Sequence, residues 1–154
     1  MINWRSERQI HVARLVEDEQ VMAVELKDED FRALANFRYE LRVFLSFSKK
    51  AAADVGLTPQ QYQSLLAIRG FGPGDLGVGE LAKRLLLRPH SASEIVDRLQ
   101  KAGLIRRTSL GHDKRQVRVV LTEEAEMKLA CLAQIHRDEL RRIGPLLKEL
   151  LSAV

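Results

Sequence analysis

Cysteine is nearly absent: the 154 residues include one, Cys131. No disulfide can close within the chain, and a metal site of several thiolates is excluded. A lone thiol suits a reducing compartment, and a small residue of this kind is expected to be buried. Aromatic residues make up only 5% of the chain. The apolar positions are mostly Leu, Val, Ile and Ala, a mix that suits helices packed on helices. No apolar run reaches the roughly 18 residues of a membrane-spanning helix, so no membrane partner is expected. The first residues, Met1-Ile2-Asn3-Trp4-Arg5, lack the basic-then-apolar layout of a signal peptide; the expected location is cytoplasmic. The four histidines (His11, His90, His112, His136) are scattered. There is no nucleophile–base pair at motif spacing, no metal-ligand cluster and no cofactor fingerprint. The expectation is a protein that is not an enzyme and holds neither metal nor cofactor.

Charge is abundant at 30%, and its placement is uneven. Between Lys83 and Arg118 stand ten basic residues and three acids, a local excess of seven positive charges. The whole chain carries only +4, so the remainder is net negative. A polyanion would be steered to the first region.

Apolar spacing organises the rest. Asp28 or Asp30 offers an N-cap. Phe31, Leu34, Phe37, Leu41, Phe44 and Leu45 then recur mostly at intervals of three and four, predicting a long amphipathic helix that Gly56 stops. Thr58-Pro59 opens a second helix, with Thr58 as N-cap and Pro59 at the first helical position. Five of the nine glycines fall between Gly70 and Gly79. No Lys-Ser/Thr follows them, so they read as a connector and not as a phosphate cradle. Val78–Leu86 predicts a short helix, and Pro89–Ala102 another, ended by Gly103. The period then shortens to two: Leu104–Ser109 and Gln116–Leu121 predict strands joined by a polar turn. From Thr122 onward Leu121, Ala125, Leu129, Leu132, His136, Leu140, Ile143 and Leu147 form a heptad-like seam. Gly144-Pro145 is expected to interrupt it and to start a last short helix.

Short helix, turn, second helix and hairpin, in that order, describe a helix-turn-helix followed by a wing. The expected fold class is mainly α with a small β-hairpin wing, a winged helix-turn-helix flanked by long helices. In the second helix, Ala92, Ile95, Val96 and Leu99 make the buried stripe. His90, Glu94, Asp97 and Lys101 lie opposite, flanked by Ser91, Ser93 and Arg98. Small polar residues near the start of such a helix reach base edges in the major groove, which suits His90, Ser91 and Ser93; first-turn capping is the plainer use of the two serines. Arg98 can reach a phosphate or a guanine. The hairpin carries Arg106, Arg107, His112, Lys114, Arg115 and Arg118. An arginine at a hairpin tip can enter a narrow minor groove, a role given to Arg115, with Asp113 holding its guanidinium through charge-assisted bonds. Arg88, Glu94, Lys101 and Lys114 complete the candidate DNA-binding set.

The run from Leu57 to Thr122 resembles the MarR family of transcriptional regulators. Leu57-Thr58-Pro59-Gln60-Gln61-Tyr62 and Val78-Gly79-Glu80-Leu81-Ala82 are similar to the openings of two of its helices. Ile95-Val96-Asp97-Arg98-Leu99 with Ala102–Arg107 is similar to its recognition helix and wing entry. Asp113-Lys114-Arg115 matches the Asp-x-Arg pattern of the wing tip, and Leu121-Thr122 its exit. The resemblance implies a homodimer built by the first and last helices, placing two recognition helices on a pseudo-palindromic double-stranded operator. It also implies a cleft that in many members binds a small phenolic or other apolar effector. The family's peroxide-sensing branch uses a cysteine near the N-terminal end, which Cys131 does not match.

The expected organisation is therefore an N-terminal extension over 1–30, forming an arm or short helix, a dimerisation region over 31–57 and 122–154, and a DNA-binding domain over 58–121. The expected function is sequence-specific regulation of transcription by a dimeric repressor that a small effector relieves. The other reading is a winged-helix module for protein contact without DNA readout; the basic window weighs against it. His136, on the apolar seam, is expected to be satisfied by hydrogen bonds in an interface, with a pH-sensing or ligand-facing role as the alternative.

Overall fold

The computed structural model describes residues 26–72, 76–109 and 117–152. In chain order the elements are α1 (Asp28–Asp54), α2 (Pro59–Phe71), α3 (Val78–Arg84), α4 (Pro89–Lys101), β1 (Ile105–Ser109), β2 (Val117–Leu121) and α5 (Glu123–Ser152). Two compact units divide the chain: Glu40–Pro145, and Met1–Tyr39 with Leu146–Val154.

The larger unit is built on one apolar core. The end of α1 supplies Ala51 and Ala52, α2 supplies Tyr62, Leu65 and Ile68, and α4 supplies Ile95, Val96 and Leu99. Ile105 and Val119 close it from the hairpin, and Ala125, Leu129 and Leu132 from α5. Leu65, Leu81, Leu99 and Leu132 are completely buried; truncating any one to Ala would cost about 2–5 kcal/mol. The buried stripe of α4 is Ala92, Ile95, Val96 and Leu99, as its spacing requires.

Local chemistry fixes the ends of these elements. The Thr58 hydroxyl accepts from the Gln61 amide at 3.2 Å, and the Gln61 side chain accepts from the Thr58 amide at 2.8 Å. This reciprocal capping box starts α2 with Pro59 at its first position. Three chain segments leave their helices by the same device. The amides of Leu57, Leu87 and Leu104 each reach back to a carbonyl five residues earlier, at 2.8–3.0 Å. The residue before each has positive φ: Gly56 at 75°, Leu86 at 56° and Gly103 at 70°. That backbone suits glycine and strains an L side chain.

β1 and β2 pair antiparallel, with Ile105 opposite Leu121 and Arg107 opposite Val119. Thr122 fastens the hairpin's exit to the end of α4: its amide donates to the Leu104 carbonyl at 3.0 Å and its hydroxyl to the Gly103 carbonyl at 2.8 Å. The same hydroxyl accepts from the Ala125 amide at 3.3 Å, which caps α5.

The expected break at Gly144-Pro145 is not there. α5 runs through both residues as one helix of 30 residues. A proline inside a helix removes one backbone bond, here the one to the Arg141 carbonyl, without obliging the chain to turn. Arg141 and Pro145 are exposed, so water can take that carbonyl.

Candidate nucleic-acid interface

α4 presents its polar face outward. Successive residues turn by about 100°, so His90, Glu94, Asp97 and Lys101 share one narrow strip, and all four are exposed. Arg88, Ser93 and Arg98 are exposed beside it, and Ser91 is half-buried. Arg88 is the N-cap residue without a side-chain capping bond, and Pro89 is the first helical residue. Ser93 is not a cap either: its hydroxyl donates to the Pro89 carbonyl at 3.2 Å. With its proton used there, the exposed hydroxyl keeps its capacity to accept from a donor such as a base amino group.

Two adjacent residues of α4 are tied to different neighbours, which spacing alone does not reveal. The Arg98 guanidinium donates to the Gln60 side chain at 3.3 Å, reaching the first turn of α2. Asp97 accepts from Arg107 of β1, forming an ion pair between recognition helix and wing. Strand alternation explains the second contact. Ile105 is buried, so Arg107, two residues on, projects from the same side of β1 and meets α4, while Arg106 projects from the other. Counting Arg106 and Arg107 together as wing charge misses this; the period of two starting at Ile105 is the signal that separates them.

On α3, Glu80 pairs with Lys83 at 3.3 Å and Arg84 at 3.7 Å. The Arg84 guanidinium also lies 4.1 Å from the centre of the Phe71 ring. These contacts hold α3 against the end of α2 and spend part of the local positive charge internally. The wing-tip candidates Asp113, Lys114 and Arg115, with His112, lie outside the described residues.

The same unit holds an open cavity of about 440 Å³ lined by Tyr62, Leu66, Ala133, His136, Arg137, Leu140 and Arg141. His136 is 6% exposed and fully bonded: Nδ1 meets the Leu132 carbonyl at 2.7 Å and Nε2 the Ser48 hydroxyl at 2.8 Å. With Nδ1 as donor to the carbonyl, Nε2 accepts from Ser48, so the neutral ring is satisfied. Tyr62 stacks on this ring at 4.7 Å, and Phe44 and Phe47 approach it edge-on. Burial pushes the Tyr62 phenol above its ordinary pKa. Further along α5, a hydrogen bond from Arg142 holds Glu139 below the usual carboxylate range against a smaller opposing effect of desolvation. Cys131, expected to be buried, is exposed on α5: it falls one residue before the buried Leu132, outside the inward stripe. Among the described residues no three potential metal ligands come together, and no helix is long and apolar enough to cross a membrane.

A helix-turn-helix with a polar second helix and an adjoining antiparallel hairpin defines a winged-helix protein. Residues 55–116 match the model of the MarR family. The HTH-type transcriptional repressor MdtR of Bacillus subtilis is 34% identical over 73 residues, covering 47% of this chain and 46% of that protein. This chain thus aligns with about half the length of that curated relative. Among solved structures, a MepR mutant of S. aureus bound to an oligodeoxyribonucleotide superposes with a TM-score of 0.62 at 18% identity, covering 77% of this chain and 95% of that one. NadR in complex with 4-hydroxyphenylacetate gives a TM-score of 0.60 at 23% identity over 77% and 88%. Residues 55–116 are thus similar to the MarR family, and the chain has the winged helix-turn-helix fold of these structures.

Proposed function

We propose that this protein is a cytoplasmic, sequence-specific transcriptional repressor that binds double-stranded DNA as a homodimer. The observation that carries the reading is the exposed polar strip of α4, with Arg88 and Arg98 exposed beside it, next to the wing and on a core that leaves that strip without an apolar partner. His90, Ser91 and Ser93 would meet base edges, with Glu94 as an acceptor for a cytosine amino group. Arg88, Arg98 and Lys101 would meet phosphates or a guanine, and Lys114 and Arg115, supported by Asp113, would meet the minor groove. An apolar outer face on α4 would have favoured a protein partner instead; the face is charged. α1 and α5 would form the dimerisation region, and the segment 58–121 the DNA-binding domain.

The cavity beside Tyr62 and His136 supports regulation by a small ligand. Its wall combines an aromatic face with Arg137 and Arg141, which suits a phenolic or other apolar molecule bearing an anionic group. 4-Hydroxyphenylacetate, the ligand of NadR, is a fitting probe. Binding there would change the separation of the two recognition helices and release the operator.

Selection of bound duplexes from sheared genomic DNA tests the proposal. An enriched pseudo-palindrome is expected, with affinity falling linearly on a log–log plot against salt at about 0.9 per neutralised phosphate. No enrichment, or binding indifferent to salt, would sink it.

A further inference from the structure

The pair between Asp97 and Arg107 stands on the face assigned to DNA, and it is not accounted for by stability. Side chains of Arg107 and Asp97 are 38% and 52% exposed, and ion pairs of that kind contribute little to folding. Yet Asp97 sits on the same strip of α4 as His90, Glu94 and Lys101. A lone carboxylate there would face phosphates and repel them. Arg107, conversely, comes from the inner side of β1, the side of Ile105, and reaches the helix instead of projecting outward. Each charge is neutralised by the other at the seam between the two elements that approach DNA.

We propose that Asp97 is a positioning residue for specificity: it holds Arg107 of β1 against α4, fixing the wing relative to the recognition helix and withholding one positive charge from the DNA backbone. The inference rests on the reading of the protein as a DNA-binding regulator. The neighbouring contact from Arg98 to Gln60 at 3.3 Å anchors the next residue of α4 to α2. The middle of the helix is thereby held from two elements by polar contacts. If Asp97 is neutralised, Arg107 is released and the wing loses its reference to α4. Arg107 then adds a phosphate contact that every sequence offers equally, so the preference for the operator falls while affinity for arbitrary DNA rises. If Arg107 is neutralised, the carboxylate is stranded and all DNA is repelled. The two variants therefore act in opposite directions on non-specific binding, which the loss of a purely structural contact would not produce.

The experiment compares wild type, Asp97→Asn, Asp97→Glu and Arg107→Gln against the tightest duplex obtained by selection and against a scrambled duplex, across a salt series, with melting temperatures alongside. For Asp97→Asn the expected results are a salt slope steeper by about one on scrambled DNA, several-fold tighter scrambled binding and a specificity ratio lowered about tenfold. Asp97→Glu, which keeps the pair, should retain the wild-type ratio, and Arg107→Gln should weaken both duplexes. Should Asp97→Asn be too unstable to measure, the sign of the Arg107→Gln effect on scrambled DNA decides: unchanged or tighter binding overturns the inference. Wild-type slope and ratio in Asp97→Asn, or a parallel loss on both duplexes in both variants, also overturns it while leaving the regulator reading intact. A wild-type protein that binds neither duplex overturns both.

Discussion

At the scale of single residues, Leu86 is where sequence and backbone disagree. Three helices end with the same reach-back hydrogen bond, and two of them place glycine at the left-handed position. The turn between α3 and α4 places Leu86 there, with φ of 56° and a side chain 67% exposed. A left-handed L residue costs about 1–2 kcal/mol, and exposure this large means that little burial offsets it. Leu86→Gly relieves the strain at the cost of extra freedom in the unfolded chain, and Leu86→Asn relieves part of it at less entropic cost. Both should raise the melting temperature, by about 2–4 °C per kcal/mol for a chain of this size. A thermal melt of either variant below the wild type would contradict the strain. Glycine at positions 56 and 103 announces two of these ends in advance; a leucine gives no such notice. The same limit applies to charge. Ten basic residues in one window were countable, but which of them face outward was not. Arg107 is turned to Asp97 by strand register, and Arg98, while exposed, also bonds Gln60 of α2; neither contact is a property of a residue count. Cys131 and Leu132 show how fine the distinction is, since one step along α5 separates an exposed thiol from a buried leucine.

At the scale of elements, periodicity and punctuation were enough for α2, α3, α4 and the hairpin. Thr58-Pro59, Pro89 and Gly103 state where helices begin and end, and the change of period after Gly103 announces the strands. Pro145 is the instructive failure. A proline usually reads as a boundary because it deletes a backbone bond and crowds the preceding turn. In α5 Ala125, Leu129, Leu132, His136 and Ile143 of the seam are buried, while Leu140 is exposed, and packing of the buried positions on either side of Leu140 carries the helix past a local penalty of about 3 kcal/mol. Replacing Pro145 by Ala restores the donor to the Arg141 carbonyl and removes the ring. The expected outcome is a gain of about 1–3 kcal/mol in denaturant unfolding with an unchanged slope. A loss of stability in Pro145→Ala would mean that the proline relieves rather than imposes strain in α5.

At the scale of the whole molecule, the distribution of exposed apolar side chains separates reading from assembly. Among the described residues, every large exposed apolar side chain except Leu26, Leu66 and Leu86 lies on α1 or α5. Phe31 and Leu45 on α1 are each 57% exposed, and Leu140 and Leu151 on α5 are 48% and 61%. Apolar side chains left exposed on two helices are of the kind that a partner chain can cover, which supports the proposed role of α1 and α5 in dimerisation. None of those helices carries a residue proposed to touch DNA. The proposed operator contacts are distributed over α4 and the wing, and a pseudo-palindrome needs two copies of them about 34 Å apart. If α1 and α5 supply that spacing, a charge placed at Leu45 should separate assembly from folding. Leu45→Glu introduces a carboxylate where the single chain leaves the side chain exposed, so its melting behaviour as a monomer has little reason to collapse. In sedimentation at micromolar concentration it should run as the monomer where the wild type runs as the dimer. Its affinity for a full palindrome should fall at least a hundredfold, while the weak binding to a single half-site persists, because each half-site is still read by an intact α4. A Leu45→Glu protein that remains dimeric and binds the palindrome as the wild type does would place the dimer interface away from this part of α1.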